Sequence, residues 1–236
     1  QQEMERFIRT EWMIGTQGLH KLDSAVVAVF GLGGVGAAAV EALARSGVGT
    51  LVIVDHDRVS LSNINRQLIA LSSTVGRLKT EAAAERIRDI NPNCRVISYP
   101  LFYQKDNDHQ IFTQKIDYVV DAIDSVGAKL DLIERCYRNQ ISIISAMGAG
   151  NKLDPSQFVT ADISKTHTCP LARVIRAELR RRGITTGVKT VFSPERPVKI
   201  DQKKEHGRHV PGSIAFVPPA AGYLMASVVV RDLLAR

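Results

Sequence analysis

The chain has 236 residues, a formal net charge of +7, 44% hydrophobic and 23% charged residues, and three cysteines. That apolar content, at the length of one α/β unit, argues against a disordered chain. Cys94, Cys136 and Cys169 are too widely spaced for a disulfide scaffold or a tetrahedral thiolate zinc site, and they point to a reducing, cytoplasmic compartment.

The first segment, QQEMERFIRTEW, is charged and amphipathic and lacks the apolar stretch of a secretory leader. It reads as a helical arm over residues 1–24. Val26–Phe30 is a short apolar run of the kind buried on both faces of a sheet. Gly31, Gly33, Gly34 and Gly36 follow at once. Then comes AAAVEALARSG, helical in composition and closed by Gly47. Thr50–Val54 is a second strand that ends at Asp55. Strand, glycine turn, helix and a strand with a terminal acid make the context of a dinucleotide-type fingerprint. The glycines let phosphates approach the backbone, the helix start offers free N–H groups, and Asp55 suits ribose hydroxyls.

The next segment is poor in apolar residues. It carries Asp57, Ser62, Asn63, Asn65, Arg66 and Gln67, and Lys79 then opens the helical run KTEAAAERIRDI. Singly, Arg66 and Lys79 read as solvated charges. Together they suit a β,γ-phosphate pair with a metal, because Arg gives a forked set of hydrogen bonds and Lys a compact charge. Arg95–Tyr99 and Ile116–Val120 are the next strands. Asp121, Asp124 and Ser125 cluster at the carboxyl end of the latter. Asp124 is the candidate ligand for Mg²⁺, which takes one or two carboxylates plus phosphate oxygens, and it also suits the N-cap of the helix GAKLDLIERCYRN. With Ser142–Ala146 as a fifth strand, the alternation predicts a doubly wound, largely parallel Rossmann-like α/β sheet.

Beyond Gly150 the pattern changes. Gln157–Ile163, Val188–Phe192 and Ile214–Val217 read as strands around the basic helix PLARVIRAELRRRGI, an added C-terminal mixed segment. Arg173, Arg176 and Arg180 recur at helical spacing. With Arg181, Lys203 and Lys204 they form a candidate surface for a nucleic-acid backbone. Lys199–Arg208 reads as a loop that orders on RNA. Ile214–Val230 is uncharged, but Pro218 and Pro219 interrupt it and it is short for a membrane span. A buried final helix over Ala220–Ala235 is expected instead, with Gly222 and Ala226 packing closely on the sheet. The whole chain reads as one unit, with a nucleotide-binding half at 25–150 and a substrate-facing half at 151–236.

In combination, GLGGVG, DHD, SNINRQ, the lysine of GRLK, and DAIDS resemble the ubiquitin-activating-type adenylation family, which activates carboxylates with ATP. The resemblance implies nucleotide contacts from Gly34 and Asp55, ribose and phosphate contacts from Ser62 to Arg66, and a phosphate contact from Lys79. Asp124 with Ser125 would sit at the metal and the adenylate. RFIRTEWMIG matches the family's arginine segment, so Arg9 corresponds to a residue that enters the partner's phosphate site in family homodimers. The stretch DPSQFVTADISKTH with PLARVIRAELRRRGI resembles the tRNA threonylcarbamoyladenosine dehydratase branch. That implies activation of the threonylcarbamoyl carboxylate beside the anticodon, ring closure with loss of water, catalytic roles for Arg66, Lys79, Asp124 and Arg9, and accessory sulfur-relay proteins as partners. Cys169 departs from the branch, where many relatives carry an acidic residue. It reads as a small buried hydrophobe, as do Cys94 and Cys136. Two other readings stand beside this one: adenylation of a sulfur-carrier or ubiquitin-like C-terminus, and an NAD-dependent oxidoreductase or nucleotide sensor. The sulfur-carrier activators commonly hold zinc with two CxxC pairs, which this sequence lacks.

Overall fold

Short apolar runs cannot satisfy their backbone groups alone, and here they pair into a seven-stranded sheet. The computed structural model describes residues 2–201, 204–205 and 207–236, with Gln2 and Glu3 described in backbone only. In chain order the main elements are α1 (Gln2–Glu5), α2 (Ile8–Asp23), β1 (Val26–Phe30), α3 (Gly36–Arg45), β2 (Thr50–Val54), α4 (Lys79–Ile90), β3 (Arg95–Tyr99), α5 (Asp108–Ile111) and β4 (Tyr118–Asp121). They continue with α6 (Val126–Arg138), β5 (Ser142–Ala146), β6 (Val159–Asp162), α7 (Pro170–Arg181), β7 (Lys189–Phe192), β8 (Lys204–Glu205), β9 (Arg208–His209) and α8 (Pro218–Leu234). The sheet order is β3-β2-β1-β4-β5-β7-β6. Its strands are parallel except for β6, which pairs antiparallel with β7.

Side chains alternate along each strand, so successive residues feed opposite faces. Val27 and Val29 join a large core cluster with α3, α4 and α8. Ala28 and Phe30 join a second cluster with Ala128, Leu132 and Cys136 of α6. A third cluster forms where α7 packs beside α6, around Ile133, Ile175, Leu179 and Phe192. The three cysteines fall one into each cluster, Cys94, Cys136 and Cys169 in turn, all buried and unpaired.

The expected strands before Gly150 are present, with the fourth beginning at Tyr118 and ending at Asp121 instead of spanning Ile116–Val120. Asp117 fastens its start: its N–H donates to Val26 O and its carboxylate accepts from Val26 N, both at 2.8 Å. Gln157–Ile163 narrows to Val159–Asp162 and Val188–Phe192 to Lys189–Phe192. The expected strand Ile214–Val217 does not form. Both edges of β7 are already paired, by β5 and β6; this run packs Ile214 and Val217 on the core, leaves Phe216 exposed and leads into α8. Lys199–Arg208 is not all loop, since β8 and β9 pair within it. Gly222 packs on α3, not on the sheet: a Cβ there would lie 2.1 Å from Val35 O. No described helix is long and apolar enough to cross a membrane.

Candidate nucleotide site

Strand order reverses direction between β1 and β4, and in open α/β sheets the crevice at such a switch point is where ligands bind. The glycine turn after β1 and the DAIDS turn after β4 flank that crevice. Gly31 has φ +91°, and a Cβ on it would sit 2.4 Å from Ala122 O, so the two turns touch through a position only glycine can fill. A Cβ on Gly36 would lie 1.7 Å from Gly31 O. Gly33 differs: its nearest neighbour would be Gln67 Nε2 at 3.7 Å, so this part of the turn faces open space. Gly34 lies against Pro218 and the Arg66 stem.

Asp55 anchors the turn. Its carboxylate accepts from Leu32 N and Asp57 N, both at 2.7 Å, and two oxygens leave lone pairs for a hydroxyl. Asp55, His56 and Asp57 bring ligand atoms within 4.8 Å of one another. Lys79 is the first residue of α4 and is buried, with Nζ 4.0 Å from Asp57 Oδ2. Arg66 donates to Ser62 O and Asn65 Oδ1, both at 2.9 Å. Asn63 closes a reciprocal cap with Ser60, and Asn65 donates to Ser213 O at 3.0 Å. Ser62 Oγ donates to Glu205 at 3.2 Å. Gln67 is buried, and its Oε1 has no partner among the described residues.

Asp124 and Ser125 lie at the mouth of the crevice, open to solvent on one side. Protein crowds Asp124 elsewhere, and the loss of hydration raises its carboxyl above the ordinary range. Lys129 and Lys79 oppose that rise, Asp55 reinforces it, and Arg66 opposes it. The helix N-cap is Ser125, not Asp124, which leaves the Asp124 carboxyl free of a capping role. Behind the turn lies a buried pair that sequence reasoning missed: Lys129 Nζ is 2.9 Å from Asp121 Oδ2, with side chains 1% and 0% exposed. Ser145 Oγ donates to Asp121 at 2.6 Å, Ile123 N donates to it at 3.1 Å, and Lys129 donates to Ile123 O at 3.1 Å.

Arg9 is not brought to this site. It is exposed on α2, and that helix runs past the opposite end of the sheet, where Phe7 approaches Gly47 and Arg6 donates to Ile90 O. Two surface hollows, of about 420 and 490 Å³, also lie at that far end and contain none of the expected nucleotide residues. Of the expected RNA contacts, Arg173 and Arg180 are exposed on α7, Arg181 pairs with Glu178, and Lys204 is exposed in β8. Arg176 is already engaged, donating to Thr166 O and Oγ1 at 3.0 and 2.8 Å, and is not a free cation. Lys203 lies outside the described residues.

Comparison with known proteins places the chain among relatives of one kind. The tRNA threonylcarbamoyladenosine dehydratase of Bacillus subtilis is 48% identical over 98% of this chain and 95% of its own length. The Escherichia coli protein of that name is 42% identical over 81% of this chain and 74% of its own. A crystal structure of the E. coli enzyme in complex with ATP superposes with a TM-score of 0.89 at 38% identity, covering 98% of this chain and 94% of that one. The model of the ThiF family matches residues 6–236, and the chain belongs to that family.

Proposed function

We propose that this protein is an ATP-dependent tRNA threonylcarbamoyladenosine dehydratase. One observation carries the reading: at the switch-point crevice Asp55 holds the glycine turn through Leu32 N, that turn touches Ala122 just ahead of Asp124, the Arg66 stem lies against Gly34, and buried Lys79 faces Asp57. That is the charge arrangement for holding phosphates and a carboxylate together. Gly33, with open space over its Cα, lets phosphates reach the backbone, and Asp55 takes ribose. The names and the ATP complex of the relatives support the same reaction.

In this reading Arg66 and Lys79 orient the phosphates and neutralise the charge that develops as the threonylcarbamoyl carboxylate attacks a phosphorus of ATP, the phosphoanhydride bond to that phosphorus breaks and the remainder of the ATP departs. The activated carboxyl oxygen then leaves with phosphate as the carbamoyl group closes the ring, so the nucleoside loses one water overall. Positioning and preorganised charge do this work without a protein nucleophile. Mg²⁺ fits the donor set: Asp124 supplies one hard carboxylate with no capping duty, and phosphate oxygens and water would complete the shell. Bound there, the ion would neutralise phosphate charge. The half at 25–150 holds the nucleotide, and the half at 151–236 faces the tRNA through α7 and β8. Arg9, at the far end of its own chain, acts in the site of a second copy in a homodimer. A cytoplasmic location belongs to the same reading.

The test is to incubate the protein with ATP, Mg²⁺ and tRNA carrying threonylcarbamoyladenosine, digest gently, and weigh the nucleoside. A product lighter by one water, dependent on ATP and absent with Arg66→Ala, is expected. An unchanged nucleoside despite ATP binding would overturn the reading in favour of a protein carboxylate as substrate.

A further inference from the structure

Thr168 adopts φ +65°, a conformation that a β-branched residue rarely tolerates. Backbone strain of this kind persists only where the surroundings enforce it, and it concentrates at working sites. Here the enforcement is visible. Arg176, one turn and a half into α7, clamps the backbone and hydroxyl of Thr166. On the other side Cys169 is buried and its Sγ accepts from Gly148 N at 3.4 Å. Fixed at both ends, the turn between them displays His167 and Thr168 outward. The His167 ring is exposed, stands edge-on to the buried Phe192 with centroids 5.4 Å apart, and has its Nδ1 3.0 Å from Thr168 Oγ1.

The turn sits at the functional end of the sheet. Phe192 closes β7 and Gly148 follows β5, the strand next to β4 and therefore to Asp124. Lys165, two residues before His167, and Arg173, in the first turn of α7, are exposed and hold no ion pair among the described residues. A planar ring on a fixed turn, with exposed cations on the segments to either side of it, suits single-stranded RNA: the ring stacks a base and the cations hold flanking phosphates.

We propose that His167, flanked by Lys165 and Arg173, is a stacking platform for an unpaired base of the substrate RNA next to the modified nucleotide, and that Arg176 is a positioning residue that holds the turn in place. This rests on the tRNA reading above and extends it to a specific contact. In that role Arg176 acts through His167 and does not touch RNA.

The experiment is a tRNA-binding titration without ATP, together with kcat and KM for tRNA and for ATP, on the full chain. His167→Ala should weaken tRNA binding and raise the tRNA KM roughly tenfold, the loss expected for one stacked base, with kcat and the ATP KM within about twofold. His167→Phe keeps a ring and should restore most of the affinity. The double variant K165A/R173A should lower the slope of log affinity against log salt by roughly 1.4, two phosphate contacts on a single strand. Arg176→Ala should reproduce the His167→Ala effect and add nothing to it. A tRNA affinity within twofold of the parent in His167→Ala, or a Phe variant as weak as Ala, would overturn the platform. If the parent protein binds tRNA but leaves the nucleoside unchanged, the dehydratase reading fails while the platform keeps its own test. If the parent does not bind tRNA, both fail.

Discussion

Lys129→Met keeps the apolar stem and most of the volume of the buried lysine and removes only its charge. Asp121 would then remain fully buried with Ser145 Oγ and Ile123 N as its remaining donors. At the observed 2.9 Å separation the pair's attraction is about 6 kcal/mol at an effective dielectric of about 20, and desolvation of both ions offsets much of it. Deleting one partner is worse than deleting both, because a lone buried charge stays behind. The cost is roughly 3–5 kcal/mol, a large part of the roughly 5–15 kcal/mol that holds a typical domain folded. For a chain of this size that lowers Tm by roughly 6–20 °C. Calorimetry and urea titration would measure it, with Asp121→Asn and the double variant completing the cycle. The double variant should recover more than half of the loss. A Lys129→Met protein melting within about 2 °C of the parent, or a double variant no better than the single, would refute the account of this pair. Lys129 is also the leading cation that opposes the raised Asp124 carboxyl, so in Lys129→Met that carboxyl should titrate higher still by NMR.

Two glycines of one turn should fail differently. Gly33→Ala meets only ordinary contact, so it should melt like the parent yet bind ATP at least tenfold more weakly; unimpaired binding would show that phosphates do not approach there. Gly36→Ala would press a methyl onto Gly31 O and should lose roughly 1–3 kcal/mol or more of stability, read by urea unfolding. Lys79→Ala should lower kcat/KM for ATP roughly 10²–10³-fold, on the scale of one lost charge-stabilising donor. Its ion pair to Asp57 is long and Asp57 is exposed, so the lost charge costs little, but the buried stem leaves a void and Tm should fall by a few degrees. Lys79→Met, which keeps the stem, should melt close to the parent and share the kinetic loss. Burial alone would raise the Glu41 carboxyl, but hydrogen bonds from Arg86 and Arg45 outweigh it and hold the group below 4.5. A depressed acid stabilises the fold above its unfolded pKa and loses that contribution as pH falls through the folded value. The stability gap between the parent and Glu41→Gln should therefore be flat from pH 7 to about pH 5 and close below about pH 4.5. A gap that widens on acidification would contradict the assignment.

The elements before Gly150 were legible because their signals are local. Val26–Phe30, Thr50–Val54 and Arg95–Tyr99 are apolar runs set off by turn residues, and Lys79 opens its helix where the pattern puts it. What failed was whatever depended on partners far along the chain. Ile214–Val217 has the composition of a strand, but both sides of β7 are taken by β5 and β6, and the run anchors Ile214 and Val217 on the core instead. Arg176 shares helical spacing with Arg173 and Arg180, yet the turn at Thr166 folds back onto it and takes its hydrogen bonds. Lys129 lies between Ala128 and Leu130 in GAKLDLIERC, and a lysine is by default a surface charge. Only the placement of Asp121 beneath it makes it an interior one. The faint signal was the i, i+3 and i+6 spacing of Leu130, Ile133 and Cys136, which turns that side of α6 inward.

The distribution of the cysteines gives the molecule built-in reporters of its own partial unfolding. Each hydrophobic cluster holds one thiol: Cys94 beside α4, Cys136 in α6 and Cys169 at the start of α7. Burial pushes the Cys94 thiol up to about 11 and Cys136 up to about 12, so neither offers appreciable thiolate to a reagent while its cluster is closed. Labelling therefore waits for an opening, and three labelling rates, separated by mass spectrometry of the peptides, measure three local opening free energies in one sample. Adding ATP and then tRNA to such an experiment would resolve which layer of the fold each substrate tightens, without introducing a single foreign probe.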